Sequence, residues 1–320
     1  MVDTSPFICT YRLDGNGGAQ SLSIEEAKQA WKSDESGIWV HLNRNDPGGQ
    51  AWLVDESGLD PLITTAMLLP ETRPRFDPAP GGVIVNLRGI NLNEGAQPED
   101  MVSIRCFCDG KRLVTARLPR LRAVDDVRAA LEAGRGAKTP GQILTAIADR
   151  LTTRIGELIM KIDGEIDQME EDFPPDETLL GDLRRKILEL RRYVAPQREA
   201  LARASGDFDE TLDLRAHSQF AEVRERTARL LEDLEVLRDR TQILRDEISD
   251  MRNDKMNRAM YSLSLVAGLF LPLGFVTGLL GINVGGMPGV DDGAAFWIVC
   301  ILLVLLGIAA WLLFRIKKWL

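Results

Sequence analysis

Along the first part of the chain, apolar residues come in short runs separated by turn formers. PFICTYRL, GIWVHLN, GGVIVNLRGINL and VSIRCFC-DG-KRLVTARL read as strands, and Asp109-Gly110 in the last predicts a hairpin. Between them SIEEAKQAW opens with a capping box from Ser23 to Glu26, and PLITTAMLL predicts a short buried helix. Residues 1–140 are therefore expected to form an α/β or α+β domain, taken here as α/β.

After Pro140 the strand signals stop and the pattern is helical. GQILTAIADRLTTRIGELIMKIDGEIDQMEEDF predicts one helix, broken by Pro174-Pro175. A second, from about Leu179 to Ala204, carries Leu183, Ile187, Leu190, Val194 and Leu201 on one stripe; Pro196 should bend it or begin a new first turn. A third places Leu230, Leu234, Leu237, Leu244, Ile248 and Met251 at three-and-four spacing, with Thr241 and Lys255 as polar interruptions, which is the pattern of a packed seam. No breaker separates this helix from the apolar run that follows. From near Thr211 to near Leu280 it would be about 100 Å long at ~1.5 Å per residue. Acidic stretches such as EEDF and LLEDLEVLRDR, and the clusters Glu170, Glu171, Asp172 and Asp207, Asp209, Glu210, read as solvated faces.

Ala259 to Val290 and Gly293 to Phe314 contain no charged residue. A bilayer core of about 30 Å needs roughly 20 apolar residues in a helix. Residues 259–281 and 294–314 meet this, and IVCILLVLL from Ile298 is apolar on every face. Arg252, Lys255 and Arg258 precede the first span, while Arg315, Lys317 and Lys318 follow the second. The loop at 282–293 holds Asp291 and Asp292 with no Lys or Arg, so both chain ends are expected in the cytoplasm and the loop outside. Tyr261, Trp297, Trp311 and Trp319 suit the membrane interfaces. The N-terminus has no basic region followed by an apolar run, so no secretory signal is expected.

The first span has a distinctive face. At 100° per residue, Met260, Leu263, Ala267, Leu271, Gly274, Gly278 and Gly281 fall within a quarter turn. Gly274 and Gly278 form a GxxxG pattern, which marks close helix packing, whereas the whole tapering face suits a pore between several copies. Beyond it, Gly281, Ile282 and Asn283 would offer carbonyl and amide oxygens to an axis, a neutral collar for a cation that keeps its water. Asn283 equally suits a helix C-cap that needs no ion. Asp291 and Asp292 would concentrate cations at the outer mouth, or serve loop solubility. Neither span carries Asp, Glu, Lys, Arg or His, so no tight ion site and no proton relay through ionisable side chains is expected in the membrane.

Composition narrows the remaining chemistry. With 48 acidic against 39 basic residues, a net charge of -9 argues against nucleic acid as partner. Four cysteines, Cys9, Cys106, Cys108 and Cys300, are too few for a disulfide framework. Cys106 and Cys108 would share a strand face and could hold a soft metal, but no His or third Cys accompanies them and a buried pair is the better reading. His41 and His217 are isolated and read as structural or surface residues.

The C-terminal pair of spans, the glycine-x-asparagine closing the first, the short loop and the basic KKWL ending resemble the CorA superfamily of divalent-metal transporters. Where most magnesium-handling members carry glycine-methionine-asparagine, this chain has Gly281-Ile282-Asn283, and the continuation through Gly289 is similar to the ZntB branch, associated with zinc. WVHLN at 39–43, ETRPRF at 71–76, DGKRLVTAR at 109–117, LRRYVAPQRE at 190–199 and the stretch at 260–283 extend the likeness over nearly the whole chain. The resemblance implies a homopentameric funnel in a bacterial inner membrane, a cytoplasmic helical stalk at 141–258, a pore lined by the first span, and a basic tail at 315–320. It also implies transport of zinc rather than covalent catalysis, with no cofactor beyond the transported ion. A hydrated ion passing a neutral collar should be selected only modestly, so cadmium, nickel and cobalt are expected to pass as well. Proton coupling stays open. The alternatives are a magnesium or general divalent-cation channel, and a membrane-anchored coiled-coil scaffold.

Overall fold

The computed structural model describes residues 6–70, 73–206, 211–282, 289 and 292–316. The chain divides into two compact units, Met1–Arg245 and Asp246–Leu320.

A seven-stranded sheet organises the first unit, in the order β2-β1-β3-β7-β6-β5-β4. Its strands are β1 (Phe7–Leu13), β2 (Ala19–Ser21), β3 (Ile38–Asn43), β4 (Arg75–Ala79), β5 (Gly82–Gly89), β6 (Val102–Cys108) and β7 (Arg112–Arg117). Only β3 and β7 pair in parallel. Central β3 is buried from Ile38 to Leu42, as a strand covered on both faces must be. The β6–β7 hairpin turns at Asp109–Lys111, where Gly110 has φ +85° and the Asp109 carboxylate accepts from the Lys111 and Arg112 amides.

Helices cover both faces. On one side lie α1 (Ile24–Lys32), α2 (Pro47–Ala51), which continues as a wider turn to Glu56, and α3 (Pro61–Leu68). Trp31, Trp52, Ile63 and Met67 pack there on Ile38, Val40, Ile84 and Phe107. Trp31 meets Trp52 edge-on at 5.6 Å, and its indole N–H donates to the Ser57 carbonyl at 2.9 Å. The Ser23–Glu26 capping box starts α1.

The other face takes α4 (Arg122–Glu132), α5 (Pro140–Glu171), α6 (Glu177–Gly206) and the first turns of α7 (Leu214–Leu280). Val127, Ile143, Ile147, Leu201 and Phe220 close over Trp39, Val85, Ile104 and Cys106. Further along, Leu234, Leu237, Leu244 and Ile248 of α7 are buried, and so is Thr241, whose hydroxyl is satisfied by the Arg238 carbonyl at 2.8 Å. Pro196 neither ends nor restarts α6, which runs on through it.

Four segments went unread in the hydrophobic pattern. β2 has three residues and little burial. β4 contains Pro78, tolerated because the strand lies at the sheet edge. The short α2 segment opens Pro47-Gly48-Gly49, a turn signature, and α4 lacks a side-chain cap.

Candidate functional site

The second unit holds the last turns of α7 and the helix α8 (Ala295–Ile316). Both have stretches long and apolar enough to cross a membrane, and neither stretch is buried. Phe270, Leu271, Phe275, Phe296, Trp297, Ile301 and Val304 are all exposed, an apolar surface much larger than water-soluble monomers present.

The two helices meet along one stripe each. On α7 the partly covered positions are Leu265, Leu269, Leu273 and Val276; on α8 they include Val299, Leu303, Ala310 and Phe314. The closest approach is at Gly268, where an added Cβ would stand 3.0 Å from the Phe314 ring. Pro272 lacks an N–H and therefore cannot bond the Gly268 carbonyl. The Thr277 hydroxyl returns to the carbonyls of Leu273 and Gly274 at 3.0 and 3.1 Å.

The face singled out in the sequence lies roughly half a turn from that stripe. Met260, Leu263 and Leu271 are 57%, 70% and 72% exposed, and Ala267, Gly274, Gly278 and Gly281 are exposed as well. A Cβ at Gly274 or Gly278 would meet nothing within 4 Å. The GxxxG pair is therefore not what brings α8 close; Gly268 is.

α7 ends on a tightened turn, in which the Gly281 amide reaches both Thr277 and Gly278 carbonyls at 2.9 and 3.2 Å. A Cβ on Gly281 would stand 3.1 Å from the Thr277 oxygen, a tight approach at the end of the helix. Ile282 follows, 48% exposed. Asn283 and Asp291 lie outside the described residues, as do Lys317, Lys318 and Trp319. Asp292 has a local role: its carboxylate accepts from the Ala294 amide at 2.9 Å at the entry to α8, where the helix dipole favours negative charge.

In the first unit, Cys9, His41, Thr115 and Cys106 occupy one register row across β1, β3, β7 and β6. The row is core. Among the described residues, no three His, Cys, Asp or Glu side chains gather as a metal site. Burial pushes the Cys9 thiol up to about 12 and raises that of Cys106 too, so both stay protonated. Burial, with Arg117 and Arg128 nearby, holds His41 well below the usual imidazole range. Neutral His41 takes a hydrogen bond at Nε2 from Arg117 at 3.2 Å, which assigns the ring proton to Nδ1, facing the Thr115 hydroxyl at 2.7 Å. His217, also buried, faces the Ala204 carbonyl at 3.0 Å through Nδ1. Glu170, one of the acidic residues read as solvent-facing, pairs with Arg240 at 2.7 Å.

Residues 34–318 match the family model described as CorA-like Mg2+ transporter protein. The chain belongs to the CorA-like transporter family. Over 330 residues it is 39% identical to the divalent cation transporter CmaX of Pseudomonas aeruginosa, covering 99% of this chain and 98% of that protein. It is 35% identical over 325 residues to the zinc transport protein ZntB of Yersinia enterocolitica, covering 100% and 98%. The structure of full-length CmaX superposes with a TM-score of 0.84 at 38% identity over 98% of both chains. The complete CorA magnesium transporter of Methanocaldococcus jannaschii gives 0.80 over 98% of both at 16% identity, which shows a shared fold. A CorA-like architecture, with one α/β sheet unit, a long helix and two apolar C-terminal helices, is thus the fold of this chain.

Proposed function

We propose that this chain is one subunit of a homopentameric transporter that carries zinc, and with lower discrimination cadmium, nickel and cobalt, across the bacterial inner membrane. The observation that carries this reading is the placement of the Met260–Gly281 face on the side of α7 that α8 leaves uncovered. Turned to a central axis, that face narrows from Met260 and Leu263 to Gly274 and Gly278. Transport-protein relatives spanning the full chain support the class, and the Gly281-Ile282-Asn283 sequence supports zinc over magnesium.

In this mechanism residues 1–140 and the stalk at 141–258 form the cytoplasmic funnel, and both chain ends are cytoplasmic. The ion arrives at the outer loop, where Asp291 and Asp292 raise its local concentration. Carbonyls at Gly281 and Ile282 and the Asn283 amide accept hydrogen bonds from its water shell, so dehydration, which hard cations resist, is avoided. The described part of α7 beyond Ala259 presents no ionisable group but Tyr261, and a proton gradient, if it drives flux, acts through the collar, the loop or the cytoplasmic unit.

Flux of zinc into proteoliposomes under an imposed pH gradient tests the reading. Asn283→Ala should abolish most flux while the pentamer persists in size-exclusion chromatography with light scattering. Undiminished flux, or a monomer in lipid that conducts no metal, would overturn it.

A further inference from the structure

Two sequence stretches that the transport path does not use, ETRPRF and LRRYVAPQRE, meet in space. Arg73 from the first and Arg192, Tyr193, Pro196 and Glu199 from the second line a cavity of about 690 Å³, together with Arg88 of β5. The wall is built rather than accidental. Gln197, 1% exposed on α6, accepts the Arg88 amide at 2.7 Å and docks the end of β5 on the helix. The Arg88 guanidinium then lies 4.2 Å over the Tyr193 ring and donates to the Met101 carbonyl at 2.7 Å. Arg192 approaches the same ring at 5.5 Å.

The charge is unbalanced. Among the described residues of the lining, the guanidiniums of Arg73 and Arg192 outnumber the one carboxylate, Glu199, while Arg88 is already engaged in the wall. Among the described residues neither Arg73 nor Arg192 forms an ion pair, whereas Arg12, Arg112, Arg154, Arg191 and Arg240 do. Near Arg88, Arg105 is fully buried; its guanidinium donates to the Ser103 hydroxyl and to the Leu69 and Pro70 carbonyls, and among the described residues its Nε has no partner. A carbonyl satisfies hydrogen bonds without cancelling charge, so the positive field persists.

We propose that this cavity binds a small multivalent oxyanion of the phosphate class, held by the paired N–H groups of Arg73 and Arg192. Guanidinium forks match phosphate oxygens in pairs, and the roughly 300–1,000 Å³ typical of ligand sites includes this volume. An otherwise acidic protein would thereby carry a specific anion receptor on its sheet unit.

Isothermal titration calorimetry on the detergent-purified full chain in low-salt acetate buffer tests this, with inorganic pyrophosphate as probe and inorganic phosphate beside it. Pyrophosphate should saturate one site per chain, phosphate should bind more weakly, and added salt should weaken both. The double variant Arg73→Gln/Arg192→Gln should lose roughly tenfold or more in affinity with an unchanged melting temperature, since both side chains are exposed. Arg203→Gln, on α6 but outside the lining, should bind as the parent does. Titration with ATP separates recognition of phosphate alone, giving equal affinity, from a nucleotide site, giving tighter binding; both uphold the anion assignment. No saturable heat with pyrophosphate, or equal affinity in the double variant, overturns it.

Discussion

Phe314 of α8 closes on Gly268 of α7 so tightly that a Cβ at 268 would stand 3.0 Å from the ring's Cζ. Hydrophobic force between helices vanishes in lipid, so close packing of this kind must hold the hairpin. Gly268→Leu should therefore destabilise the detergent-solubilised protein by about 1–3 kcal/mol, the cost of overpacking. Adding Phe314→Ala should restore much of the loss, because it empties the space the leucine needs. Thermal melting of the two single variants and the double variant checks this, and simple additivity would refute the contact.

Gly274 and Gly278 have open space where Gly268 has a ring, and this difference separates two roles for glycine on one helix. Substituting Gly278→Leu should leave the melting temperature and the α7–α8 hairpin intact. If the face lines a pore, zinc flux into proteoliposomes should fall by roughly an order of magnitude or more, since each subunit would add a side chain to the constriction. Normal flux with normal assembly would remove this face from the path.

The same comparison shows what the sequence makes legible. Uncharged length marked the two long apolar stretches, and periodicity marked most of the buried seam of α7 and five strands, which repeat an apolar residue where one face must leave water. It could not tell Gly268 from Gly274 and Gly278, since all are small residues on an apolar helix and only the neighbour's position distinguishes them. The pairing of Glu170 with Arg240 was hidden for a related reason: a charged helix face reads as solvated whether or not another helix brings a counterion to it. The convergence of Arg73, Arg88 and Arg192 likewise depends on how β5 docks on α6, which is long-range.

Asp213 should make the first unit acid-sensitive. Its carboxylate accepts from the Ala216 amide at 2.7 Å at the start of α7, and from the Thr139 hydroxyl, itself the cap of α5, at 2.7 Å. Burial pulls its pKa upward, but the bonds from Ala216, Thr139 and Gln142 prevail and hold it below the usual carboxylate range. A depressed folded value means that the stabilisation is complete above the unfolded value of about 3.9 and is lost as pH falls through the lower folded one. Asp213→Ala should cost about 1–2 kcal/mol at neutral pH, and the gap between variant and parent should close in acid. A gap that is constant from pH 7 to pH 3 in denaturant melts would contradict this assignment.

Arg240 gathers three carboxylates of α5 onto one guanidinium: Asp163 at 2.6 Å, Asp167 at 2.5 Å and Glu170 at 2.7 Å. The hydrogen bonds it donates to Glu170 raise its pKa further above the usual arginine range, so the charge is permanent. Without it, three like charges would lie along one stripe of α5 at four- and three-residue spacing, facing α7 with no counterion from this position. Because the acids are between 42% and 61% exposed, water screens the loss, and Arg240→Gln should cost about 1–2 kcal/mol. That cost should shrink as sodium chloride is raised, since the repulsion it exposes is screened. Arg240→Lys should recover only part of it: an ammonium is a point charge, and it cannot reproduce a fork whose Nε and two terminal nitrogens each serve a different acid oxygen. Melting temperatures of the three proteins across a salt series decide the matter, and a lysine variant as stable as the parent would show that charge alone, without the fork, holds α5 to α7.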